Sequence, residues 1–173
     1  MSLHIIIDGY NLIRQSKKLS TLDRQNMQRG RDALVDMLAA YKKIKAHRIT
    51  IVFDGTGAPL QSHNRHRQKG ISMIFSRQGE TADAVIKKMA RREKQKAMVV
   101  SSDLEIVRSA DTAGAATISA AEFEGILEMS IYMGDVKTGE DENSGWRPTT
   151  KKKGPSKRLP KRQRTNRAKI RKL

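Results

Sequence analysis

The chain has 173 residues, with 35 Lys and Arg against 18 Asp and Glu, a formal net charge of +17 and 37% apolar side chains. That length suits one α/β domain with an appendage, and the absence of Cys excludes a disulfide scaffold, a cysteine-ligated zinc and a cysteine nucleophile. No run approaches the ~18 apolar residues of a membrane span, and Met1-Ser2-Leu3-His4 is no signal-peptide start. The expectation is a soluble, cytoplasmic protein with a polyanionic partner, nucleic acid before membrane surface.

Leu3-His4-Ile5-Ile6-Ile7 reads as a buried strand closed at Asp8-Gly9. Met27, Leu34, Met37, Leu38, Tyr41 and Ile44 recur at helical spacing, which predicts one helix from about Thr21 to Ala46 with Ser20 or Thr21 as its N-cap. Ile49–Phe53 is the second strand, ending at Asp54-Gly55. A polar, basic loop follows, and Ile71–Phe75 is the third strand. Ala82, Val85, Ile86, Met89 and Ala90 mark an amphipathic helix with a basic outer face of Lys87, Lys88, Arg91 and Arg92. Ala97–Ser101 is a fourth strand, followed by a helix that Gly114 ends. Ala115–Ile118 is a weaker fifth strand, and a helix from Ala121 to Met133 closes the domain. Repeated alternation of strand and helix predicts a single open parallel sheet of about five strands with helices on both faces.

The positive charge is concentrated at one end. Residues 146–173 carry 13 Lys and Arg and no acidic residue, whereas residues 1–145 hold 22 basic and 18 acidic residues, a net of only +4. A domain over 1–136, an acidic polar linker over 137–145 and a basic tail over 146–173 follow from this split. Pro148, Pro155 and Pro160 punctuate the tail, and its apolar residues show no period, so it is expected to be disordered when free. Its Lys151, Lys152, Lys153, Lys157, Arg158, Lys161, Arg162 and Arg164 are expected to contact RNA phosphates, a counterion-releasing clamp without sequence readout. The plain alternative is a solubilising extension.

The acidic residues of the domain gather where α/β sheets place their sites, at the carboxyl ends of strands. Asp8, Asp54 and Asp103 close three strands, and Glu80 and Asp83 open the helix after another. Each alone is also an ordinary turn or N-cap residue. Together, like charges so close repel unless a cation neutralises them, and an oxygen-only donor set favours Mg²⁺ or Mn²⁺ over zinc. A carboxylate-held divalent cation in a basic protein suggests phosphodiester hydrolysis, with Asn11 orienting water or a phosphate oxygen.

Ile7-Asp8-Gly9-Tyr10-Asn11-Leu12-Ile13, Val52-Phe53-Asp54-Gly55, Glu80-Thr81-Ala82-Asp83 and Ser101-Ser102-Asp103 resemble the four signature segments of NYN-domain ribonucleases of the PIN-like superfamily, in particular the YacP-like branch. The resemblance runs in order over about residues 3–134. It implies strand order 3-2-1-4-5 and an Mg²⁺ site made by Asp8, Asp54, Asp83 and Asp103, with Asn11 and Glu80 beside it and Ser102 binding through its hydroxyl. It also implies endonucleolytic cleavage of RNA (mRNA or rRNA), in some relatives on or near the ribosome. The basic tail lies outside the shared pattern, and 56–70 match no motif.

Arg65, Arg67 and Lys69 leave the same sheet edge as Asp54 and are expected to touch RNA near the cut site. His63 and His66 lack a third ligand, so zinc has little support. No glycine-rich phosphate loop and no nucleophile elbow is present. The alternatives to a nuclease are a non-catalytic RNA- or ribosome-binding protein on the same fold and, more weakly, a receiver-like phosphotransfer domain.

Overall fold

The computed structural model describes residues 2–55, 65–136 and 160–173. In chain order the elements are β1 (His4–Asp8), α1 (Gly9–Gln15), α2 (Lys17–Gln25), α3 (Met27–Ile44), β2 (Arg48–Phe53), β3 (Arg65–Gln68), β4 (Ile71–Phe75), α4 (Ala82–Glu93), β5 (Ala97–Val100), α5 (Leu104–Thr112), β6 (Ala116–Ile118), α6 (Ala120–Val136) and α7 (Lys161–Ile170). The sheet order is β3-β4-β2-β1-β5-β6. All pairings are parallel except β3 with β4. The five expected strands therefore stand in the expected order, and a sixth joins at one edge.

The consecutive isoleucines of β1 show why the sheet sits in the middle. Ile5 and Ile7 face a core shared with α1, α3 and α6, whereas Ile6 faces a second core with Ile86, Met89 and Ile106 of α4 and α5. All three are fully buried. Alternating side chains of a central parallel strand must both be apolar because helices cover both faces. Among the described residues no helix is long and apolar enough to cross a membrane.

Three expectations are corrected. The single helix from Thr21 to Ala46 is instead the hairpin α2–α3, preceded by α1. Ser16 caps α2 through Leu19 N, and Asn26, in extended conformation, caps α3 through Gln28 N at 2.8 Å. The two helices pack so closely at Gly30 that a Cβ there would lie 2.8 Å from that of Asp23. A continuous helix has no such crossing.

The polar segment after Asp54 is not all loop. Arg65–Gln68 pairs antiparallel with Ile71–Phe75 across the two-residue turn Lys69-Gly70, where both residues take positive φ, 51° and 78°. Mirror-image turns of this kind match the twist of the flanking strands. The strand holds no apolar residue, so periodicity could not reveal it.

The end of the basic tail is ordered. α7 packs on β6, Leu173 is buried in the larger core, and Leu173 O accepts from Tyr41 Oη at 3.1 Å. Lys172 O lies 3.1 Å from His47 Nε2. Side-chain bonds to the domain and one buried leucine hold this segment, with no amphipathic stripe to announce it. Residues 137–159, including the linker, Trp146, Lys151, Lys152, Lys153, Lys157 and Arg158, lie outside the described residues, as do His63 and the Lys161 side chain.

Candidate nuclease site

Asp8 ends β1 and caps α1. Its Oδ1 accepts from Asn11 N at 3.1 Å, and its Oδ2 accepts from Ser101 Oγ at 3.3 Å across to the end of β5. Ser101 is buried and its Oγ in turn accepts from Asp103 N at 3.1 Å. Asp103 caps α5, its Oδ1 accepting from Glu105 N at 2.7 Å and Ile106 N at 3.3 Å. Capping and convergence thus coincide: the caps that close α1 and α5 fix the positions of two carboxylates on adjacent strands.

Asn11 joins the same two elements. Its Oδ1 accepts from Ser102 N at 2.9 Å, which assigns the amide orientation and leaves Nδ2 as a donor. Ser102 Oγ accepts from Ala120 N at 3.2 Å, tying the turn to the start of α6. Tyr10 serves the core. Its ring packs on Phe53 at 5.2 Å, and its hydroxyl accepts from Arg31 Nε at 3.1 Å. The buried Arg31 guanidinium lies 5.4 Å from the centre of Phe53 and 5.2 Å from that of Phe75. The sequence carries no periodic signal for this arginine.

Asp54 follows β2, with Oδ1 3.5 Å from Ser76 Oγ, which itself accepts from Gly55 N at 2.9 Å. The glycines after both aspartates are set by packing. A Cβ on Gly9 would lie 2.3 Å from the Phe53 ring, and one on Gly55 would lie 2.1 Å from Ser76 O. Neither is a turn glycine. Asp83 occupies the first turn of α4, whose cap is Thr81.

Electrostatics link these acids. Burial pushes the Asp8 carboxyl above its usual range, opposed by the Asn11 bond and reinforced by Asp83 and Asp103. The Asp83 carboxyl is raised by burial and then by Asp103, offset by Lys87, with Glu105 and Asp54 adding repulsion. Asp8, Asp54, Asp83 and Asp103 therefore share one electrostatic environment. Lys87, one helical turn after Asp83, ties α4 to Glu105 of α5 at 2.5 Å. The i, i+4 spacing of Asp83 and Lys87 signals this lysine, which helical periodicity alone assigns to the basic outer face.

The donor set is oxygen-only and mutually repulsive, which suits a hard cation in kind. In arrangement, no group of three or more His, Cys, Asp or Glu among the described residues is placed to hold a metal ion. Glu80 stands apart, lining a neighbouring groove with Arg65, Arg77, Lys88 and Arg92. Lys69 also falls elsewhere, pairing with Asp36 of α3 at 2.5 Å. Arg67 is exposed on β3, and His66 is exposed without a metal-holding partner among the described residues. In α7, Arg162 pairs with Asp111 at 2.8 Å and Arg164 is exposed.

A family model described as the YacP-like NYN domain matches residues 5–172. That range takes in α7, so the end of the basic tail belongs to the family pattern, contrary to expectation. Over 90 residues the chain is 32% identical to an uncharacterized protein, YacP, of Bacillus subtilis, a match covering 50% of this chain and 51% of that one. The aligned segment spans about half of that relative's length. The structure is similar to the crystal structure of Rae1 (YacP) from Bacillus subtilis, with TM-score 0.67, 25% identity and coverage of 80% of each chain. It is likewise similar to the crystal structure of a mutant of that protein, with TM-score 0.65, 26% identity and coverage of 79% of this chain and 81% of the other.

Proposed function

Since the chain belongs to the YacP-like NYN-domain family, a nuclease-type fold, we propose that it is a metal-dependent endoribonuclease acting at Asp8, Asp54, Asp83 and Asp103. The observation that carries this reading is the convergence of Asp8 and Asp103, the caps of α1 and α5, on the shared Ser101 hydroxyl at adjacent strand ends, with Asp54 following β2 and Asp83 opening α4, in a chain with net charge +17. Mg²⁺ or Mn²⁺ would be held by their carboxylates. When bound, it supplies Lewis-acid polarisation of the phosphoryl group. Asp103 offers Oδ2, since Oδ1 serves the cap. Asn11 Nδ2 donates to a non-bridging phosphate oxygen, and the Ser102 hydroxyl, whose oxygen is fixed by Ala120 N, donates beside it. Glu80 borders the path of the RNA strand. The exposed cations of α7, Arg164 and Arg167 among them, add non-specific anchoring to RNA or to ribosomal RNA.

The test is incubation of labelled RNA with purified protein and Mg²⁺, repeated with Asp8→Asn. Cleavage lost in the variant supports the reading, and equal cleavage by both proteins removes the site. A second reading, an RNA-binding protein without catalysis, is favoured by the absence of a metal-holding triad among the described residues. It predicts tight binding in EDTA and no cleavage under any divalent metal.

A further inference from the structure

We propose that the groove between the β3–β4 hairpin and α4 is a binding track for the phosphate backbone of single-stranded RNA leading to the aspartate site. The proposal rests on the nuclease reading and adds a location whose cations, Arg65, Arg77, Lys88 and Arg92, lie outside the four signature segments. The groove encloses about 480 Å³. Arg65 pairs in register with Ile74, and paired residues project to the same face of a sheet, so Arg65 stands over the α4 side. Across from it, Val85, Lys88, Met89 and Arg92 fall on one face of α4 at i, i+3, i+4 and i+7.

The charge balance identifies the ligand. Arg65, Arg77, Lys88 and Arg92 line the groove against one carboxylate, Glu80. Arg65, Arg77 and Lys88 make no ion pair among the described residues, while Arg92 reaches Glu93 at 3.1 Å. Cations converging over the apolar floor of Ile74, Val85 and Met89 repel one another until a polyanion neutralises them. A nucleic-acid strand supplies regularly spaced phosphates for the rim and flat apolar rings for the floor. The placement also fits. α4 carries Lys88 and Arg92 on the groove face and Asp83 in its first turn, whose carboxyl feels the charge of Asp103, the cap of α5. A strand seated in the groove therefore meets the aspartates by passing the N-terminal end of a single helix.

The experiment measures binding of a fluorescent 12-nucleotide oligouridylate to the full chain in EDTA by anisotropy, across a salt series. Lys88→Gln with Arg92→Gln is the test variant, and Lys18→Gln, exposed on α2, is the control. Both test side chains are exposed, and thermal melts matching the parent verify folding. The expected result is at least a tenfold weaker Kd for the double variant. Its slope of log K against log salt should be smaller by about 1.4, two contacts at ~0.7 each for single strands. The control should stay within twofold of the parent. An equal loss in the control, or an unchanged slope, overturns the track. So does polyglutamate competing as well as RNA, which would assign the groove to an acidic polypeptide. Mg²⁺-dependent cleavage separates the two claims. If the parent cuts RNA and the double variant keeps its Kd and KM, the track fails alone. If the double variant loses binding and the parent never cuts, the nuclease reading fails alone.

Discussion

The Asn166 side chain makes both hydrogen bonds that a neighbouring strand would make to Thr117. Its Oδ1 accepts from Thr117 N at 2.9 Å, and its Nδ2 donates to Thr117 O at 2.9 Å. β6 is the outer strand on that side of the sheet, and an open strand edge is a template for unwanted pairing. α7 thus closes the edge with one amide. Asn166→Ala should remove two bonds worth ~0.5–1.5 kcal/mol each, read as a lower urea midpoint with an unchanged m-value.

The same docking changes what deletion of residues 146–173 should do. A solvated tail would leave Tm unchanged and, on the proposed RNA-binding reading, alter only the salt dependence of that binding. Because Leu173 is buried in the main core and its carbonyl accepts from Tyr41, truncation should also lower Tm. Leu173→Ala alone should cost about 2–5 kcal/mol if the site does not collapse. Equal melting of full-length and truncated protein would show that α7 contributes no stability.

Asp8→Asn should separate stability from activity. The carboxyl is raised by burial and by Asp83 and Asp103, so its ionised form is disfavoured in the folded chain. Asn keeps an oxygen for Asn11 N and places an amide donor beside Ser101 Oγ, which can accept. In EDTA the variant should melt at or above the parent's temperature, and with Mg²⁺ its RNA cleavage should be at least a hundredfold below the parent's. A variant that melts well below the parent would contradict this account of the repulsion.

Gly55→Ala tests why glycine follows Asp54. The added Cβ would meet Ser76 O at 2.1 Å, a main-chain atom with little room to yield. Overpacking of this kind costs about 1–3 kcal/mol and should displace Asp54 along with Ser76. Gly125→Ala, where nothing lies within 4 Å of the new Cβ, is the matched control and should be neutral or mildly stabilising in its helix.

His4 gives the fold an acid sensitivity at the end of the sheet away from the aspartates. Burial, then the Arg48 charge, hold its pKa below 6.5, with Glu93 opposing and Arg92 adding to the decrease. Its Nε2 lies 2.9 Å from Thr50 Oγ1, and its Nδ1, 3.4 Å from Glu93 Oε1, makes no hydrogen bond. The fold therefore favours the neutral ring. Between the lowered folded value and 6.5 the unfolded chain binds more protons, so stability is full above pH 6.5 and falls on acidification through that window. The urea midpoint should drop from pH 7.5 to pH 5.5, and drop less in His4→Gln. Parallel losses in both proteins would move the cause to another group.

Much of the architecture is legible in the chain because the relevant signals are local. Ile5, Ile6 and Ile7 can all be buried only in a strand covered on both faces, and Asp8, Asp54 and Asp103 each follow such a run. Strand and helix alternation, the parallel sheet and the family resemblance follow from residues adjacent in sequence. The rest depends on partners far along the chain. Nothing apolar marks β3, which exists because β4 offers it an edge through a Lys69-Gly70 turn. The break at Asn26 follows from α2 folding back on Gly30. α7 is held by Asn166 on Thr117 and Leu173 under Tyr41, contacts spanning 49 and 132 residues.

The division between acids is likewise tertiary. Glu80 and Asp83 are three residues apart, yet the turn into α4 sends one to a groove of arginines and the other to the repelling aspartates. The net charge of +17 and the acidic strand ends are properties of the sequence by itself. Which cations face which acids is decided only when the chain closes. Charge composition adds residue by residue, whereas electrostatic environment depends on distance and burial.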